Sequence, residues 1–399
     1  ATMLYTPNTA NDIIAISIYS KGGKLCEKTP GTANLVASIM MKGTKKYSSL
    51  ELSQVLEDNG IEIVPASSAD AFAISVLTTK DEYDKTLELL NEVVNNATFD
   101  NFEIDKVKSD KLSAIKRNKD IPIQRAIEEY RDLIYQNTPY SISSKVLEKN
   151  IPNITKEEML NYYQNVFVPE NLVISINGNV DKEKTIQELN RIFLKKDKCQ
   201  NFDYSKYSSK IPYLTAPRTS IQKMPTTETA WIMLGWQTNG VLNKKDYATL
   251  QVIDSILGTG MSSRLFKDLR EQQGLAYQLG TSYSPNVLRG SFLLYIGTNP
   301  DTLEKAKNGL FNEINRLKTE YVGDKELKDA KEKLLGNYVI GLETNLDKAS
   351  NLGWYEASTR GYEFKDNYEK LINSVTDSDI IEVANKYFTD NYILSIVTK

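Results

Sequence analysis

The chain has 399 residues and a formal net charge of −3, from 49 Lys and Arg against 52 Asp and Glu. At about 150 residues per domain the length predicts two or three domains, and the balanced charge argues against a dedicated nucleic-acid binder, which needs a concentrated cationic surface. No apolar run approaches the ~20 residues of a membrane span, and two cysteines, Cys26 and Cys199, are too few for a disulfide framework.

Apolar alternation and helical periodicity take turns along the first half, a pattern typical of α+β architecture. Gly60 is expected just after the end of a helix, and Asp81 is expected to cap the start of one. The predicted strands span residues 13–20, 72–78 and 172–176. The predicted helices span residues 33–41, 48–59, 81–94, 103–117, 124–135, 155–167 and 181–193.

The second half repeats this order in the letters of the sequence. Gly43-Thr44 recurs 215 positions later as Gly258-Thr259, Phe72 recurs 220 positions later as Phe292, and Thr155 recurs 221 positions later as Thr376. Such a long period indicates a duplicated domain rather than a solenoid repeat. We therefore predict a first domain at 1–195, a polar linker at 196–219 and a second domain at 220–399.

The stretch 258–282, GTGMSSRLFKDLREQQGLAYQLGTS, resembles the second-domain signature of the pitrilysin/insulinase-type zinc peptidases, the superfamily of mitochondrial processing peptidase. Weaker resemblances at 138–140 (TPY) and 159–181 fall in the family's order, so the likeness covers essentially the whole chain. It implies an α+β fold of two duplicated domains, each a mostly antiparallel sheet covered by helices. This is the mitochondrial processing peptidase-like, or LuxS-like metallohydrolase, fold.

The sequence departs from this family at its zinc site. Active members carry His-x-x-Glu-His on a first-domain helix, but this chain has no histidine. Aligned on Lys-Gly-Thr at 42–44, the two histidines fall on Asn34 and Ser38 and the glutamate falls on Ala37. The family's third ligand, a glutamate further along, falls at about Ala114. Neutral amide and hydroxyl groups bind zinc poorly and alanine cannot transfer a proton, so we expect no metal site and no cofactor in this chain.

Arg270 and Tyr277, by contrast, match the family's second-domain pair that holds the bound peptide at the zinc. A guanidinium offers several donors to a peptide carbonyl, and a phenol can donate to a developing oxyanion. The alternative makes Arg270 a surface salt-bridge partner and Tyr277 a strand residue facing the core. Two further acids, Asp254 and Glu271, are expected to be solvated on helix surfaces. The glycines at 258 and 260 predict a tight turn rather than a phosphate loop, since no Gly-Lys-Ser/Thr follows.

Three functions remain open. The resemblance implies first a non-catalytic, substrate-gripping subunit, which forms a heterodimer with a zinc-bearing homologous subunit and acts on unfolded or extended peptides in a closed chamber. The second is a peptide-binding or structural subunit with no proteolytic role. The third is a hydrolase with a relocated metal site, which needs a carboxylate cluster that the sequence does not display. Both cytoplasmic and periplasmic locations are compatible with the sequence.

Overall fold

The computed structural model describes residues 1–141, 143–193 and 202–399. Cys199 and residues 196–201 of the predicted linker lie outside these ranges. The strands are β1 (Thr2–Pro7), β2 (Ile13–Lys21), β3 (Glu62–Ser67), β4 (Ala71–Thr79), β5 (Leu172–Gly178), β6 (Arg218–Lys223), β7 (Ala230–Asn239), β8 (Gln278–Ser284), β9 (Arg289–Thr298) and β10 (Ile393–Thr398).

The α-helices lie in groups between these strands, with five between β4 and β5 and five between β9 and β10. Across the described ranges none is long and apolar enough to cross a membrane. They are α1 (Thr32–Ile39), α2 (Ser49–Asp58), α3 (Tyr83–Asn95), α4 (Asn101–Asn118), α5 (Pro122–Ile134), α6 (Ser144–Asn150), α7 (Lys156–Val166), α8 (Lys182–Phe193), α9 (Lys244–Leu257), α10 (Leu303–Thr319), α11 (Asp324–Ile340), α12 (Asn345–Ala357), α13 (Phe364–Asn373) and α14 (Asp377–Tyr387).

Two five-stranded sheets organise the fold, with the orders β1-β5-β2-β4-β3 and β6-β10-β7-β9-β8. In each sheet one edge pair is parallel, β1 with β5 and β6 with β10, and the other pairs are antiparallel. The two orders are the same once the strands are renumbered, since β6 to β10 take the places of β1 to β5. The predicted α+β fold of two duplicated, mostly antiparallel sheets is confirmed.

Equivalent residues of the repeat have equivalent structural tasks. Phe72 on β4 and Phe292 on β9 are fully buried. The Thr155 hydroxyl accepts a hydrogen bond at 3.1 Å from a backbone N–H at the start of α7, and the Thr376 hydroxyl accepts one at 3.2 Å at the start of α14. Caps of this kind satisfy backbone donors that have no partner within the helix. The letters that recur are therefore those that begin helices and fill the core.

Two local predictions of helix ends have different outcomes. Gly60 has a φ of 59° after α2, and its N–H donates to the Glu57 carbonyl at 3.1 Å, as predicted for a glycine that ends a helix. The cap predicted at Asp81 is wrong, because α3 begins at Tyr83 after Glu82 and has no side-chain cap.

The described chain forms two compact units, and neither is one continuous stretch. The first unit comprises Ala1–Ser113, Val146–Tyr204 and Ile340–Lys365, and the second unit comprises Ala114–Lys145, Ser205–Val339 and Asp366–Lys399. The first unit contains the sheet β1 to β5 and the second contains the sheet β6 to β10. The predicted domain bounds of 1–195, 196–219 and 220–399 stay a prediction. The strand β6 begins at Arg218, within the last residues of the predicted linker, and each compact unit includes segments from both sides of that linker.

One helix of each unit comes from the other half of the sequence. In the first unit α12 packs on β2, where the Tyr19 hydroxyl donates to the Ser350 carbonyl at 3.1 Å and the hydroxyls of Ser17 and Ser350 are 2.9 Å apart. In the second unit α5 packs on β10, where the Ser395 hydroxyl donates to the Ala126 carbonyl at 3.0 Å. These helices occupy corresponding positions on the two sheets, so the duplication includes an exchange of helices.

Candidate functional site

The helix predicted to carry a lost zinc site is α1, which begins in the first unit after Gly31, a residue with a φ of 113°. Asn34 and Ser38 lie four residues apart on one half-buried face, and the Ser38 hydroxyl donates to the Asn34 carbonyl at 3.2 Å. Ala37 is only 6% exposed. The face that would hold zinc in an active relative is therefore a packed helix surface whose hydroxyl is committed to the helix backbone.

Zinc does not fit the donors present on α1. Structural and catalytic zinc sites use imidazole, thiolate and carboxylate ligands, whereas Asn34 and Ser38 offer a neutral amide and a hydroxyl. Ala114, aligned with the third ligand, is a half-buried residue of α4 that belongs to the second unit. Among the residues that the structure describes, no three His, Cys, Asp or Glu side chains are grouped to hold a metal ion.

A carboxylate that the sequence did not single out anchors the start of α1. The Glu27 carboxylate accepts hydrogen bonds from the backbone N–H groups of Gly31 at 3.1 Å and Ala33 at 2.8 Å. Burial raises the pKa of Glu27 to about 7; these two N–H donors and Lys24 act in the opposite direction, and Glu158 adds to the rise. The raised pKa of Glu27 therefore lies near neutral pH, at the N-terminus of the helix whose positions align with the zinc ligands.

The segment predicted to grip substrate belongs to the second unit and contains a seven-residue π-helix, Phe266–Gln272. Arg264, just before it, is 7% exposed and makes a two-point ion pair with Glu326 of α11, at 2.9 and 2.7 Å. The π-helix ends where the Leu275 N–H donates to the Leu269 carbonyl at 2.8 Å. Such wide turns are rare and are frequent at functional sites.

Arg270 lies on this π-helix with its side chain exposed to solvent. The centre of its guanidinium is 5.1 Å from the centre of the Phe266 ring, a cation–π contact. None of the described residues forms a hydrogen bond or an ion pair with this guanidinium. The alternative role of Arg270 as a surface salt-bridge partner is therefore not what the structure contains, and all of its donors are available to a ligand.

Tyr277 directly precedes β8, and its side chain is 61% exposed. Its backbone N–H donates to the Gly297 carbonyl at 2.9 Å, which fixes the main chain beside β9. No described residue makes a hydrogen bond with its hydroxyl. The alternative of a core-facing tyrosine is wrong, whereas the catalytic role assigned to Arg270 and Tyr277 stays a prediction.

The expectations for the remaining candidate residues have different outcomes. Glu271 is exposed, as expected. The expectation for Asp254 is wrong: burial raises the pKa of its carboxyl, although a hydrogen bond from Thr281 partly offsets this effect. Gly260 has a φ of 74°, and a Cβ at Gly258 would lie 2.0 Å from the Thr281 hydroxyl. Gly260 therefore meets the backbone requirement of a tight turn, and Gly258 leaves space for the close approach of Thr281 on β8.

Comparison with known proteins supports the same family resemblance in both halves. The family model described as insulinase (peptidase family M16) matches residues 2–144, and the model described as the peptidase M16 inactive domain matches residues 153–334. An uncharacterized zinc protease of Rickettsia felis is 26% identical over 95% of this chain and 90% of its own length. A protein of Helicobacter pylori named "Non-peptidase homolog YmxG" is 25% identical over 81% of this chain and 74% of its own length.

A solved structure has the same fold. The crystal structure of a protease from Helicobacter pylori superposes with a TM-score of 0.90 at 20% identity, covering 100% of this chain and 97% of that one.

Proposed function

This chain belongs to the insulinase-type M16 peptidase family as a non-catalytic member, and we propose that it is the substrate-gripping subunit of a heteromeric zinc metalloendopeptidase. One combination of observations supports the proposal. The helix α1 has no imidazole, thiolate or carboxylate ligand, while the side chains of Arg270 and Tyr277 are exposed and have no hydrogen-bonding partners among the described residues. The absence of the zinc ligands does not by itself explain why the signature segment keeps an unpaired arginine and an exposed tyrosine. A role in binding substrate does explain it.

In the proposed complex a homologous subunit with an intact His-x-x-Glu-His helix supplies the zinc and the general base. This chain supplies Arg270, whose guanidinium donates to a peptide carbonyl, and Tyr277, whose hydroxyl donates to the oxygen that becomes negative in the transition state. The substrate is an unfolded or extended peptide that pairs with a sheet edge, so its sequence is read loosely. Such contacts accelerate cleavage only to the extent that they strengthen in the transition state.

The alternative is a subunit that binds peptides or supports a complex without any proteolytic role. It is favoured by the name of the Helicobacter pylori relative, a "non-peptidase homolog". The two proposals differ in what they require of Arg270 and Tyr277, because a purely structural subunit does not depend on either side chain for turnover.

The test combines this chain with the M16 subunit of the same organism that carries an intact zinc helix, and measures cleavage of a fluorogenic unstructured peptide. We expect activity that neither subunit has alone. Replacing Tyr277 with Phe should then lower kcat about 10²-fold, the lower range for loss of one oxyanion donor, and Arg270→Ala should lower kcat/KM. Size-exclusion chromatography should show an unchanged complex for both variants.

Matched controls are available in the same unit. Lys267→Ala removes another exposed cation from the π-helix, and Tyr321→Phe removes the hydroxyl of another tyrosine, which is 69% exposed. Both controls should retain the turnover of the unmodified complex. Full turnover in the Arg270 and Tyr277 variants would refute the substrate-gripping role. It would favour the alternative of a subunit with no proteolytic role.

A further inference from the structure

The π-helix that carries Arg270 rests on one face of α10. Leu269 is 1% exposed and points toward Gly309, where a Cβ built on the glycine would lie 2.5 Å from the Leu269 Cδ2 atom. Real Cβ atoms do not approach other heavy atoms so closely, so a Cβ at position 309 would force the end of the buried Leu269 side chain to move. Glycine is the poorest helix former apart from proline, and this contact accounts for its presence within a helix.

An ion-pair cluster forms the second contact between the same two elements. The Arg316 guanidinium donates to Asp268 of the π-helix at 2.7 Å, and to both carboxylate oxygens of Glu313 at 3.0 and 3.1 Å. Glu313 is 5% exposed, so its position on α10 is fixed by packing as well as by charge. Arg316 is thereby oriented by its own helix before it contacts Asp268.

These contacts share one surface of α10. Gly309, Glu313 and Arg316 follow one another at intervals of four and three residues, the spacing that places side chains on the same helix face. The consecutive residues Asp268 and Leu269 face α10, and the next residue, Arg270, is exposed. We infer that the orientation of Arg270 is set by Asp268 and Leu269, the two residues before it, because both contact α10.

We propose that Gly309 and Arg316 are positioning residues, which hold the π-helix in the register that presents Arg270 to a bound peptide. The packing of the π-helix against α10 is supported by the contacts described above. The effect of this packing on peptide binding rests on the proposed function. A Cβ at position 309 moves the end of the Leu269 side chain. Because Leu269 is buried and has little room to move, we expect the shift to alter the position of the next residue, Arg270.

The test uses Gly309→Ala, with Gly336→Ala as a matched control. Gly336 lies on α11 of the same unit, and a Cβ there would meet nothing within 4 Å. The compensating double variant Leu269→Val with Gly309→Ala restores the space. Hydrogen exchange of the amides at 269–275 should become about tenfold faster in Gly309→Ala, because local opening is easier, and should be unchanged in Gly336→Ala.

The second readout is the anisotropy of a fluorescein-labelled unstructured peptide titrated with the purified chain. We expect Gly309→Ala and Arg316→Gln to weaken binding by a factor similar to that of Arg270→Ala, about tenfold for the loss of one important contact. The double variant should recover both the slow exchange and the affinity, a recovery that a general loss of structure would not produce.

The outcomes separate the two levels of the proposal. Unchanged hydrogen exchange in Gly309→Ala would refute the claim that Gly309 holds the π-helix against α10. Faster exchange without loss of peptide affinity, in a background where Arg270→Ala does weaken binding, would overturn the positioning role. If Arg270→Ala itself leaves peptide affinity unchanged, the grip in the proposed function fails, and the exchange measurement still decides whether α10 holds the π-helix.

Discussion

Replacing either of two arginines in one segment with alanine should have different effects on the stability of the fold. Arg264 is 7% exposed and paired at two points with Glu326, whereas Arg270, six positions later, is exposed and makes a cation–π contact with the Phe266 ring. Arg264→Ala should destabilise the fold and Arg270→Ala should not. The comparison tests whether the Arg270 side chain contributes to the stability of the fold.

The magnitude follows from burial. Breaking a fully buried ion pair by removing one partner costs about 3–5 kcal/mol, because the remaining charge is left uncompensated. The Glu326 side chain is 37% exposed and regains water, so we expect a loss of about 2–3 kcal/mol for Arg264→Ala, in the range of hydrogen bonds to charged groups. For a unit of this size that corresponds to a decrease in Tm of ~4–12 °C. Substitution of an exposed residue such as Arg270 changes the free energy of unfolding by about 0.5 kcal/mol at most.

Urea titration followed by circular dichroism measures both variants, with the thermal midpoint as a second observable. Glu326→Ala should reproduce part of the loss, since the orphaned Arg264 remains mostly buried. Equal destabilisation by Arg264→Ala and Arg270→Ala would refute the reasoning, because it would make Arg270 a structural residue.

Two further predictions concern α1. Because the folded-state pKa of Glu27 is about 7 and the usual value is 4.5, the folded state binds more protons between these values. The free energy of unfolding should therefore fall by up to about 3 kcal/mol as pH rises from 4.5 to 7.5, and urea titrations of Glu27→Gln should lack this component; identical pH dependence in both proteins would contradict it. The purified chain should contain no stoichiometric zinc and cleave no peptide, and one tightly bound zinc per chain in elemental mass spectrometry would contradict the assignment of Asn34 and Ser38 as lost ligands.

Sequence patterns predicted what is decided locally. The recurrence of Thr155 at Thr376 predicted two equivalent helices because a capping hydroxyl acts on the N–H groups three residues away. Gly60 was predictable for a similar reason, since a positive φ after a helix favours glycine. The alignment of Asn34, Ala37 and Ser38 with the zinc-site residues depends on residue types alone, and the absence of bound zinc stays a prediction.

Features decided by tertiary contacts were not predictable. The Leu269 side chain contacts Gly309, forty residues away in sequence, and no local pattern brings these two segments together. Asp254 lies on an amphipathic helix like many solvated acids, and only the neighbouring sheet encloses it. Periodicity likewise marked a helix at 124–135 without showing which sheet it would cover.

The exchanged helices bear on how this protein can be divided. The chain passes between the two units five times, at the junctions 113/114, 145/146, 204/205, 339/340 and 365/366. A polypeptide cut within the predicted linker would leave β2 without α12 and β10 without α5, uncovering apolar strand faces on both fragments. Neither half of the sequence contains every helix that covers its own sheet, so we expect neither fragment to fold when it is produced alone.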